Sequence, residues 1–189
     1  MTMVDAAEQT SGPARPFHVH PVVQAGSAPH PTSPLGLAGY AGRGPDLWIS
    51  SCHGGAGAST LATLIPCGMS AGRYWPVPDE PDRSRVLLVA RTHASGLCAA
   101  QAAARQWAAG VLPNVRLLGL VVTADAPGKR PKPLNELLRL ISGGVPRVWE
   151  LPWVEALRLG APPKQVKLPS GYARLAQDLN RIISEDSHA

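Results

Sequence analysis

The sequence predicts an α/β fold, a small and mostly parallel sheet flanked by helices, preceded by a disordered N-terminal tail. Three observations lead there. Short apolar runs alternate with helical segments four times, the pattern of strand–crossover–strand units. The first apolar run passes straight into a glycine-rich loop and a helix. Of 189 residues, 44% are hydrophobic, enough for a core, although Gly (19) and Pro (20) are abundant.

Taken in order, residues 1–46 hold seven Pro, six Gly and three of the six His, with neither a strand nor a helix period. They read as a disordered tail, in which His18, His20 and His30 are solvated rather than a metal site. The domain then spans 47–189. Leu47–Ser51 (LWISS) is the first strand. Ser59–Ile65 follows as a helix that Pro66 stops after about two turns, because proline lacks a donor and clashes with the turn before it. Residues 66–84 carry Pro66, Pro76, Pro78, Pro81, Gly68 and Gly72 and read as a long irregular connection.

Arg85–Ala90 (RVLLVA) is a second strand, as continuously apolar as a buried parallel strand. Leu97–Ala109 is an Ala-rich helix stopped by Gly110. Val115–Val122 is a third strand, Pro133–Ile141 a helix closed by Gly143 and Gly144, and Arg147–Leu151 a fourth strand. A short helix over Trp153–Leu159 ends at Gly160. Ser170 opens a last helix with an apolar stripe of Tyr172, Leu175, Ala176, Leu179, Ile182 and Ile183.

Composition excludes several classes. Only 16% of residues are charged, too few for a long coiled coil or a highly charged solubilising protein. The longest uncharged run, Leu47–Gly72, is broken by glycine, proline and hydroxyl residues, so no membrane span is expected. The first ten residues lack the pattern of a secretory signal. Cys52, Cys67 and Cys98 form neither a disulfide framework nor a zinc set, which points to a reducing cytoplasm. The net charge of +5 has one dense cluster, Lys129, Arg130 and Lys132. It is a solvated loop or a nucleic-acid contact; no aromatic platform accompanies it.

The sharpest motif is Cys52-His53-Gly54-Gly55-Ala56-Gly57-Ala58-Ser59-Thr60. Glycines let backbone N–H groups approach an anion, and a following helix adds its dipole. The segment resembles the deviant Walker A loop, KGGxGK[ST][ST], of the ParA/MinD family of P-loop ATPases. Gly54, Gly55 and Gly57 match its glycines, Ser59 its Mg²⁺-binding hydroxyl, and Thr60 the residue after it. Both lysines are missing: the signature lysine falls on His53, the phosphate-loop lysine on Ala58. Leu118–Thr123 resembles the family's GxVxN strand, with Thr123 where an Asn often contacts the base. Val148–Pro163 and the helix around Tyr172 resemble the family's closing elements.

The resemblance implies a reduced P-loop NTPase-like fold and, if a ligand is retained, ATP or ADP with Mg²⁺. Each lost lysine contact removes a charge-assisted bond worth about 1.5–3 kcal/mol. RVLLVA ends in Ala90-Arg91-Thr92-His93, with no carboxylate for catalysis; in an alternative register Ala90 and Thr92 replace two aspartates. The expectation is therefore a non-catalytic binding or regulatory module with a protein partner, such as an ATPase, and weak nucleotide or phosphate binding. The alternatives are a divergent ATPase completed in trans and a DNA-binding accessory using Lys129, Arg130 and Lys132. Four further readings concern single residues. Cys52 is a buried thiol rather than a nucleophile. His93 and Asp125 are loop residues on the ligand side of the sheet. Trp149 and Trp153 are packing residues. Arg73 or Arg91 is a candidate replacement for the lost lysine charge.

Overall fold

The computed structural model describes residues 20–22, 35–79, 83–112 and 114–186. Its elements are β1 (His20–Val22), β2 (Gly36–Tyr40), β3 (Leu47–Ser51), α1 (Ala58–Leu64), β4 (Gly68–Gly72), β5 (Tyr74–Pro78) and β6 (Ser84–Arg91). These are followed by α2 (Ala94–Ala108), β7 (Val115–Thr123), α3 (Lys132–Ser142), β8 (Val148–Leu151), α4 (Glu155–Arg158), a 3-10 turn (Pro163–Gln165) and α5 (Ser170–Asp186).

The main sheet is five-stranded and parallel, in the order β4-β3-β6-β7-β8. Its strands are apolar on both faces because helices cover both. On one face Leu47, Ile49, Leu87, Val89 and Val121 pack against Leu61 of α1 and Leu175 and Leu179 of α5. On the other, Trp48, Val86, Leu88, Leu120 and Val122 pack against Leu97 and Ala100 of α2 and Leu138 and Ile141 of α3. Each large side chain removed from water contributes about 1.5–3 kcal/mol. α1 carries the chain from β3 to β4 on one face, while α2 carries it from β6 to β7 in the opposite direction on the other. Both crossovers therefore have one hand, as parallel connections require.

The α/β class and the parallel sheet are thus as the sequence indicates, and so are the stops. Pro66 follows the end of α1 by two residues, and Gly110 (φ 71°) and Gly160 (φ 86°) follow α2 and α4 in left-handed conformations. Two expectations are corrected. The expected tail falls outside the described residues over 1–19 and 23–34, His18 and His30 included. Where it is described it is not all tail: Gly36–Tyr40 is a strand and Leu35 belongs to the core.

Residues 66–84 are not an irregular connection either. They hold β4, an edge of the main sheet, and β5, an edge of a second sheet in the order β1-β2-β5. β5 pairs parallel with β2, setting Pro76 beside Ala38 and Pro78 beside Tyr40. An edge strand needs donors on one side only, so it accepts prolines. The second sheet covers the α2 face next to α2 itself. Trp75 is fully buried, its Nε1 donates to Gln106 Oε1 (2.8 Å), and Gln106 Nε2 donates to the Leu35 carbonyl (3.0 Å).

Candidate functional site

From β3 the chain leaves first toward β4 and later returns to β6 on the opposite side. This reversal opens a crevice at the carboxyl ends of β3 and β6, the place where open α/β sheets take ligands. Two segments line it: the glycine-rich loop after β3, and Arg91 with Thr92 and His93 after β6.

The loop turns at Gly55 (φ 73°) and Gly57 (φ 104°), the latter capping α1. Gly54 has no positive φ, and a Cβ built on it meets nothing within 4 Å. Ala56 and Ala58 are buried under the loop, Ser59 is exposed on the first turn of α1, and Thr60 is half-buried. Thr123, at the end of β7, donates to the carbonyls of Ala56 and Ala90 (3.4 Å each). The sequence-predicted set His53, Gly54, Gly55, Gly57, Ala58, Ser59, Thr60 and Thr123 is therefore one spatial cluster.

His53 brings no fixed positive charge to the loop. Its Nδ1 lies 2.8 Å from the Gly54 carbonyl and its Nε2 accepts from the backbone N–H of Arg91 at 3.0 Å. That assignment requires a neutral ring with its proton on Nδ1. Burial is the main cause that holds its pKa below the ordinary value; the charges of His93, Arg91 and Arg73 act in the same direction, against the Gly54 bond. The His93 ring packs edge-on against it, with centroids 4.8 Å apart. His93 caps α2, its Nδ1 accepting from the Gly96 N–H (2.9 Å) and contacting the Ser95 hydroxyl (2.9 Å).

Arg91 brings the fixed charge to the loop. Its Nε donates to the Gly55 carbonyl (2.8 Å), and its Nη1 lies 4.0 Å from Asp125 Oδ1. Arg73 is exposed, and its charge acts on both Cys52 and His53. The Cys52 thiol is 1% exposed and burial pushes its pKa up to about 12, so it is an inert part of the core. Asp125 is anchored through its backbone N–H, which donates to Thr92 Oγ1 (3.0 Å).

The cavity beside the loop is small, about 70 Å³, between Thr60, Arg91, Thr123, Trp153, Arg158 and Tyr172. Pockets that take small molecules run to about 300–1,000 Å³. Trp153 Nε1 donates to Glu155 Oε2 (2.6 Å), while Trp149 Nε1 donates to Asp178 Oδ2 (3.1 Å) and packs between β8 and α5. Trp149 is thus a packing residue, while Trp153 is half-buried at the edge of the small cavity. Among the described residues no three His, Cys, Asp or Glu side chains cluster, and no helix is long and apolar enough to cross a membrane.

The basic cluster lies on the β7–α3 connection at the same edge of the sheet. Arg130 is committed within the chain: its Nη2 donates to Glu150 Oε2 (2.7 Å) and its Nε to Asn135 Oδ1 (2.6 Å). Lys129 and Lys132 are exposed.

The sequence offers Arg91 as one of two candidates for a charge at the loop, but not its contact with a carbonyl 36 positions earlier. A second residue of the crevice escapes a linear reading. Gly96 sits in the first turn of α2, where a Cβ would come within 2.6 Å of the Arg91 carbonyl and 2.9 Å of His53 Nε2. A glycine inside an otherwise Ala-rich helix was the available signal for that close approach.

Comparison with curated proteins finds no match. Residues 45–169, more than half of the chain, match the family of unknown function DUF6668, and the chain belongs to that family.

Proposed function

We propose that this chain is a non-catalytic domain of ParA/MinD-like descent that works as a binding or regulatory module. One observation carries the reading. The crevice at the carboxyl ends of β3 and β6 is closed by the chain's own groups: a neutral His53 bonded at both nitrogens, and Arg91 donating to Gly55. A phosphate loop that hydrolyses ATP needs a fixed cation on the β/γ-phosphates and an acid to hold metal or water. Here the cation turns to a carbonyl, the histidine is uncharged, and the adjoining cavity holds no more than about 70 Å³.

The module's work is then done through a protein partner, an active ATPase being the partner that the resemblance implies, and DNA partition or transfer machinery its setting. The three free cysteines fit a cytoplasmic protein. A divergent ATPase completed in trans would need the same loop to release His53 and Arg91.

Equilibrium binding of a fluorescent ATP analogue to the full chain, with and without Mg²⁺, followed by a turnover assay, separates the two. The expected result is binding no tighter than millimolar and no turnover above background. Turnover that disappears in Ser59→Ala would overturn the proposal.

A further inference from the structure

A second concavity, open and about 860 Å³, lies at the carboxyl ends of β6, β7 and β8 on the α2–α3 side of the sheet. Its apolar wall includes the half-buried Ala124 and Leu134, and its polar wall is the 125–131 connection with Lys132 and Glu150. The volume falls within the range of small-molecule pockets, about 300–1,000 Å³.

The charges along the wall are unequally matched. Glu150 is paired with Arg130 at 2.7 Å, and Asp125 faces Arg91 at 4.0 Å. Lys129 and Lys132 also line the groove, and neither makes an ion pair among the described residues. Two ammonium groups thus stand in surplus over carboxylates already satisfied. His93 lines the same groove, and because its Nδ1 accepts from Gly96, its neutral form carries a proton on Nε2 as a further donor.

We propose that this groove binds a small phosphate-bearing ligand, with Lys129 and Lys132 on the phosphate and Ala124 and Leu134 against an apolar body. Lysine suits phosphate as a mobile point charge, and each such contact is charge-assisted. A nucleic-acid strand fits less well. Its continuous phosphates would pass Asp125 and Glu150, and the groove's lining contains no Phe, Tyr or Trp on which to stack a base. The inference does not rest on the reading of the glycine loop, which stands beside a different cavity.

The test is titration of the ¹⁵N-labelled full chain with phenyl phosphate, followed by backbone amide shifts. Shifts centred on 92–96 and 128–135 are expected. Lys129→Ala/Lys132→Ala should weaken binding by about tenfold or more, with the spectrum otherwise retained because both side chains are exposed. Lys129→Arg/Lys132→Arg should keep most of the affinity.

Four results would overturn the proposal. They are no shifts at tens of millimolar ligand, shifts confined to 53–60, equal affinity in the double alanine variant, and inorganic phosphate binding as tightly as phenyl phosphate. A DNA duplex that displaces phenyl phosphate at submillimolar concentration would also overturn it, in favour of nucleic acid.

Discussion

His53 Nε2 accepts the backbone N–H of Arg91, a 3.0 Å bond between residues 38 positions apart that fastens the glycine-rich loop to the end of β6. The bond exists only while Nε2 is unprotonated. A second proton would set two N–H groups face to face, beside His93, Arg91 and Arg73.

Stability should therefore fall in mild acid. Burial lowers the His53 pKa in the folded state below the 6.5 of the unfolded chain. Above both values the ring is neutral in either state and folding is unopposed. As pH falls below the unfolded value, the unfolded chain takes up the proton first, and stability is lost down through the folded pKa. Thermal melts at about pH 7 and about pH 5 should show a larger drop for the natural chain than for His53→Gln, which cannot titrate in this range. Parallel drops would show that the ring is not the titrating group.

Gly96 and Gly54 should answer oppositely to the same substitution. A Cβ at Gly96 lies 2.6 Å from the Arg91 carbonyl, which is backbone and cannot swing aside. Gly96→Ala should cost about 1–3 kcal/mol, as overpacking does. At Gly54 a Cβ meets open space and φ is ordinary, so Gly54→Ala should stay within about 0.5 kcal/mol. Urea midpoints measure both. A stable Gly96→Ala would mean that α2 and His53 separate more readily than their spacing implies.

How much of this was legible beforehand follows from where each signal lives. β3, β6 and β7 announce themselves because strands buried on both faces read as apolar runs, and α3 and α5 because their stripes and stops are local. β2, β4 and β5 do not. GLAGY, GMSAG and YWPVP are built from glycine and proline, and pairing with distant strands is what makes them extended. The site divides in the same way. The glycine loop is a local motif and is found at once. Arg91 on Gly55 and Gly96 beneath His53 are contacts across loops, and no spacing rule encodes them.

Cys52 should be silent to thiol reagents. It is 1% exposed and burial pushes its pKa up to about 12, so at mildly alkaline pH almost none is thiolate. Cys67 and Cys98 are partly exposed. Native labelling with iodoacetamide, followed by peptide mapping, should modify those two before Cys52, which should react only after unfolding. Early labelling of Cys52 would contradict the buried position and reopen a chemical role for it.

Asp186 holds apart a charge conflict at the other end of the sheet. Arg85 and Arg116 are register partners on β6 and β7, and like charges directly opposite one another repel. The Asp186 carboxylate, at the end of α5, accepts Arg85 Nε at 2.6 Å on one oxygen and Arg116 on the other. Its side chain is only 11% exposed, whereas that of Arg116 is 50% exposed, so solvent screens part of the interaction. Asp186→Asn should then cost about 1–2 kcal/mol, less than two buried charged bonds would imply. Because the remaining repulsion is between guanidinium groups near the surface, high salt should narrow the gap between variant and natural chain. A gap that is absent at low salt, or one that widens with salt, would show that α5 is held by its Leu175 and Leu179 packing alone.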